Sequence, residues 1–178
     1  MAFALLDIVE QQARSNKIEA ALDTASRIAD ATDRSAAMEA IAIGQFNAGD
    51  QGGALHTAEL IPHEINRNGV WMHLAFSQAR SGQVKGAIET VNHIKAPLRR
   101  NAVLLGVALI RAKDGDIPGA LAAANTIQSE LSRARAYREI AAARTQNGDL
   151  PQTHQWIDTL ISPIEPAATH RGVYILWL

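Results

Sequence analysis

The side chains that could bind a metal or move a proton are few and scattered. Six histidines, His56, His63, His73, His93, His154 and His170, are spread along the chain, and no two are four residues apart. That spacing would place two ligands on one helix face. There are no cysteines, which excludes disulfide frameworks, thiolate zinc, iron–sulfur clusters and thiol catalysis. No phosphate loop ending in Gly-Lys-Ser/Thr, no dinucleotide Gly-x-Gly-x-x-Gly and no Gly-x-Ser-x-Gly elbow occurs. The run Gly49-Asp50-Gln51-Gly52-Gly53 has the glycine density of a phosphate cradle but lacks its lysine, so we read it as a turn. Asp30, Asp33, Asp114 and Asp116 read as helix-end caps rather than general acids or bases. The expectation is a protein that is not an enzyme and needs no cofactor or metal.

Composition narrows the class. The chain has 178 residues, 17 Lys plus Arg against 18 Asp plus Glu, and a net charge of −1. It lacks the overall basic balance of a non-specific nucleic-acid binder. No apolar run has the roughly 18 to 20 residues of a membrane span, and Asp7 and Glu10 interrupt the place of a signal peptide. We expect a cytoplasmic protein without a nucleic-acid partner. Alanine is the most frequent residue and aromatics are only 4%, which favours closely packed helices over sheets.

A constant period of about 33 residues then organises the elements. Asn16, Gly49, Gly82, Gly115 and Gly148 hold one slot, suited to left-handed backbone. Beyond each lie mostly apolar columns: Ala21, Ala54, Ala87, Ala120 and Thr153; Leu22, Leu55, Ile88 and Leu121; Ala25, Ala58, Val91, Ala124 and Ile157; Ile28, Ile61, Ile94, Ile127 and Leu160. Offsets of 0, 1, 4 and 7 describe one helix face. His154 takes the place of the apolar residue in the second column and reads as a partly buried structural histidine. Ahead of each slot run Leu5, Met38, Trp71, Leu104 and Tyr137; Ile8, Ile41, Leu74, Val107 and Ile140; and the mostly small column Val9, Ala42, Ala75, Ala108 and Ala141. Each repeat is expected to be two antiparallel helices of about three to four turns, with Asp50, Asp116 and Asp149 capping the second and Pro118 and Pro151 in its first turn. Such thin pairs bury a core only by stacking. The expected fold is all-α, a right-handed α-solenoid with five repeats over residues 1–161 and an irregular cap or unfinished sixth repeat over 162–178.

These columns resemble the tetratricopeptide repeat (TPR), most clearly in Trp71, Leu74, Ala75, Gly82, Ala87 and Val91. The period is one residue shorter than the usual 34, and Gln45, Gln78, Arg111 and Arg144 stand where that family has Tyr or Leu. The Thr-Pro-Leu-His signature of ankyrin repeats is missing. The resemblance implies a TPR-like superhelix that serves as a protein-interaction scaffold or adaptor, its concave groove lined by the first helices. Transferred residue by residue, that groove contains Met72, His73, Phe76, Leu105 and Leu109, with charge from Arg80, Lys113 and Arg138. The partner it implies is a protein or peptide carrying aliphatic and acidic residues. Ile43, Phe76 and Leu109 occupy the columns where relatives that clamp a terminal carboxylate have polar residues, so that mode is disfavoured. Alternatives are an accessory subunit of an enzyme complex, a solenoid cupping a small molecule, or an oligomer joined through the apolar C-terminus, where Trp156, Tyr174 and Trp177 could form a self-association or capping cluster. A further column, Arg34, Arg67, Arg100 and Arg133, reads as architecture: each would bond free carbonyls and neighbouring carboxylates at the repeat junction.

Overall fold

The computed structural model describes residues 2–146, and every described element is helical. In chain order these are α1 (Ala2–Arg14), α2 (Ile18–Ser26), α3 (Ala31–Asn47), α4 (Gln51–Glu59), α5 (Glu64–Arg80), α6 (Val84–Val91), α7 (Pro97–Lys113), α8 (Ile117–Asn125) and α9 (Glu130–Gln146). The first helices α3, α5, α7 and α9 start at Ala31, Glu64, Pro97 and Glu130, and the second helices α2, α4, α6 and α8 at Ile18, Gln51, Val84 and Ile117. Both series advance by the same constant step. The expected period is therefore the structural period.

The two helices of a pair are unequal, which corrects the expectation of similar lengths. Each of α3, α5, α7 and α9 has 17 residues, whereas the second helices have eight or nine. The reason lies in the isoleucine column, which is not helical. The amides of Ile28, Ile61, Ile94 and Ile127 each bond the carbonyl three residues back in a closing turn, and the four side chains are buried there. The second helix ends so that this turn can insert its isoleucine. The second apolar column also differs from expectation: Leu22 is exposed, and Leu55, Ile88 and Leu121 are half-buried.

The punctuation behaves as its chemistry requires. Asn16, Gly49, Gly82 and Gly115 have φ of 56°, 90°, 78° and 81°, the left-handed turn that ends a first helix. The carboxylate of Asp50 accepts from the Gly53 amide at 2.8 Å, and that of Asp116 from the Gly119 amide at 2.9 Å. A Cβ on either glycine would run into the capping carboxylate. Ala20 is tolerated at the same position because Lys17 makes no side-chain cap. Asp30 caps α3 by accepting from Thr32 and Asp33, both at 2.9 Å. Pro118 lies in the first turn of α8, as expected. The glycine-rich run is a turn only at Gly49, with Asp50 as cap and Gln51 to Gly53 already in α4. Glu64 opens α5, where its charge is favourable to the helix dipole.

The described residues divide into two compact units, unit 1 ending at Ser77 and unit 2 beginning at Gln78. In unit 1, α1 packs on α2 and α3, and α3 on α4, around Val9, Ala13, Ala21, Ala25, Ile28, Ala37 and Ile41. In unit 2, α7 packs on α6, α8 and α9, while α8 also touches α9. A second helix thus wedges between its own first helix and the first helix of the next pair, the local arrangement of an α-solenoid. The small column lets first helices approach: Ala42, Ala75 and Ala108 have no exposed surface. The approach is tight at Gly44, where a Cβ would lie 2.9 Å from the Ala13 carbonyl oxygen. Ile8 is 46% exposed although Ile41, Leu74, Val107 and Ile140 in its column are fully buried.

Candidate functional site

A first helix presents one stripe that the core does not use. On α7 the stripe is Leu98, Ala102, Leu105, Leu109 and Lys113, whose offsets of 4, 7, 11 and 15 keep them on one face. Leu98 is 86% exposed, Ala102 and Lys113 are exposed, and Leu105 and Leu109 are half-buried. In the same unit Arg80 and Arg138 are exposed. In unit 1, on α5, Met72 is 41% exposed, and His73 and Phe76 are half-buried. None of the eight residues expected to meet a partner is core; each keeps surface in its own unit. Trp156, Tyr174, Trp177 and His154 lie outside the described residues.

The sequence reading overlooked the start of this stripe. Ile65, Leu98 and Leu131 are the second residues of α5, α7 and α9, one period apart, and are 66%, 86% and 79% exposed. Their spacing was available in the sequence. Large aliphatics at helical spacing pass for core until packing shows that the second residue of these helices is mostly exposed.

Charge separates along the chain in a way its near-zero total conceals. Unit 1 has five Lys and Arg against ten Asp and Glu, net −5. Residues 78–146 have eleven against five, net +6. From Thr90 to Lys113 there is no acid at all, with Lys95, Arg99, Arg100, Arg111 and Lys113 present.

Some of these charges are structural. Arg34, Arg67 and Arg133 donate to the carbonyls of Ile28, Ile61 and Ile127 at 3.0, 2.7 and 2.9 Å. Arg100 reaches only the Lys95 carbonyl, at 3.5 Å. The column is architecture as expected, but its acceptors are carbonyls and not carboxylates: the carbonyl of the inserted isoleucine has left the helix and needs a donor. The position late in the first helix is wired differently from pair to pair. The Thr57 hydroxyl donates to Gln45 Oε1 at 2.7 Å, and Thr90 to Gln78 Oε1 at 2.8 Å, both buried. Gln12 Oε1 is buried with no partner, because Thr24 donates to the Ala20 carbonyl instead. Where the threonine becomes Ala123, the glutamine becomes Arg111, which donates to the Ala79 carbonyl at 3.0 Å and to Asp114 at 2.9 Å and Asp116 at 3.0 Å. The Gly119 amide and the Arg111 guanidinium together hold the Asp116 carboxyl below its ordinary value, against a smaller opposing effect of burial.

In unit 1 an open depression of about 380 Å³ is lined by Glu10, Arg14, Ala36, Glu39, Ala40, Ile43 and Asn47. Its charges are already engaged: Arg14 with Glu10 at 2.9 Å, and Glu39 with the Asn66 amide at 2.9 Å. Among the described residues no three His, Asp or Glu side chains converge as metal ligands, and no helix is long and apolar enough to cross a membrane.

No protein-family profile matches the chain, and no curated protein matches it in sequence. Two solved structures are similar over most of its length. One is the crystal structure of nearly identical TPR-like repeats from a Podosopora anserina protein described as a kinesin light chain. It is 16% identical, covers 94% of this chain and 96% of that one, and gives a TM-score of 0.41. The other, a single-residue variant of the same protein, is 17% identical, with 95% and 96% covered and a TM-score of 0.40. By period, helix boundaries and turn chemistry, the described residues form an all-α array of helix pairs, TPR-like in fold.

Proposed function

We propose that this protein is a non-enzymatic interaction scaffold whose first-helix stripes take a segment of another protein carrying aliphatic and acidic residues. The observation behind this reading is the stripe of α7: Leu105 and Leu109 keep surface, Lys113 is exposed, and no acid occurs from Thr90 to Lys113. Arg80 and Arg138 add exposed cations in the same unit, and Met72, His73 and Phe76 offer an apolar share in unit 1. Aliphatic side chains of a partner would bury apolar surface on the leucines while its carboxylates meet the cations. By contrast Arg34, Arg67, Arg111 and Arg133, and the carboxylates of Asp30, Asp50 and Asp116, are engaged in junctions and caps.

The test is co-purification of partners from native cells with wild-type protein and with Met72→Asp, Arg80→Glu and Lys113→Glu. All three positions are exposed, so circular dichroism should be unchanged. The same partner should be retained by wild type and lost from Arg80→Glu and Lys113→Glu. Equal recovery by every variant would remove the stripe as the binding surface.

A further inference from the structure

Ile65, Leu98 and Leu131 are not explained by folding, since each is mostly exposed. They stand at the junctions where one pair ends and the next first helix begins, and the Ile65 and Leu98 junctions differ in sign, whereas Leu131 has Glu130 beside it. In unit 1, from Ile28 to Ser77, the Lys and Arg side chains are Arg34 and Arg67, both half-buried and donating to carbonyls. Glu64 beside Ile65 is exposed, and Leu60 is exposed nearby in the sequence. In unit 2, Lys95 and Arg99 flank Leu98; both are exposed, and no acid lies between Thr90 and Lys113.

We propose that a second copy of this chain covers these edges, the acidic edge of unit 1 (Leu60, Glu64, Ile65) meeting the basic edge of unit 2 (Lys95, Leu98, Arg99). A two-fold contact requires one molecule to carry both halves of a complementary pair, so that residue 64 faces residue 99 of its partner and the reverse. This chain meets that requirement: each edge has an exposed aliphatic at the same position of its first helix, beside charge of opposite sign. Apolar contact would supply affinity, and the charges would set orientation and salt dependence. Ile65 and Leu98 begin the first-helix stripes, but none of these six residues is among the eight assigned to partner binding, so the inference does not depend on that assignment.

Sedimentation velocity of the full chain across a concentration series tests this. At low salt the wild type should form a dimer. Raising ionic strength to about 0.5 M, where screening shortens to roughly 4 Å, should weaken it. Glu64→Arg and Arg99→Glu should each weaken dimerisation by about tenfold or more, and Leu98→Ser should weaken it without a change in charge. Glu64→Arg and Arg99→Glu on the same chain should restore the dimer, since each reversed residue meets the other. All three positions are exposed, and circular dichroism checks that the fold is kept. A wild type that is monomeric at every concentration, a dimer indifferent to both reversals, or a double variant as weak as the single variants would overturn the proposal.

Discussion

Units 1 and 2 share one lattice and differ in what is hung on it. The second helices α4 and α8 start two full periods apart, at Gln51 and Ile117, and both follow a left-handed glycine and an aspartate cap. Yet unit 1 carries net −5 and residues 78–146 net +6. Gln45 meets Thr57 in unit 1, whereas Arg111 meets two aspartates in unit 2. The lattice resides in small and apolar columns that cannot vary without opening a void or a clash. Polar positions are constrained only to find some partner, so charge is free to diverge.

The largest expected difference tests the apolar lattice. Leu104→Ala in unit 2 should cost about 2–5 kcal/mol in denaturant unfolding, and Met38→Ala in unit 1 less, because Leu104 is buried and Met38 only half-buried. Gly44→Ala should cost about 1–3 kcal/mol by overpacking α1 against α3, whereas Ile110, at the same position of α7, carries a whole side chain. Thr57→Val should cost about 1–3 kcal/mol by stranding buried Gln45. Gln12→Leu should act in the opposite direction, raising the melting temperature, since its oxygen has no partner to lose. The smallest effect is Asp116→Asn, about 1 kcal/mol or less for a partly exposed cap. Because the folded carboxyl titrates below its ordinary value of 3.8, its contribution is present above that pH and is lost as pH falls through the lower folded value. The gap between wild type and Asp116→Asn should therefore be constant near neutrality and close in acid.

The lattice was legible because it is repetitive: Asn16 in a glycine slot predicted a left-handed residue, and its φ is 56°. Helix lengths were not, because Ile28 and its equivalents continue the helical spacing while their backbone has already turned. The acceptors of Arg34, Arg67 and Arg133 were half legible; a cation at a helix end predicts carbonyl contacts, but which carbonyl depends on that turn. The surface was hardest. Leu98 and Leu104 are alike as letters, and only the packing of α7 makes one exposed and the other buried. The charge division was plain in the sequence but hidden by summing to −1.

Interchangeable pairs at constant pitch are the central claim, and excising one period tests it most directly. Removing residues 51–83 joins Asp50 to Val84, a cap to the start of the equivalent second helix. This whole-period deletion should keep its helical content per residue and melt cooperatively by circular dichroism. A deletion of residues 54–83, about three residues short of the period, should lose both. Equal behaviour of the two deletions would contradict the account.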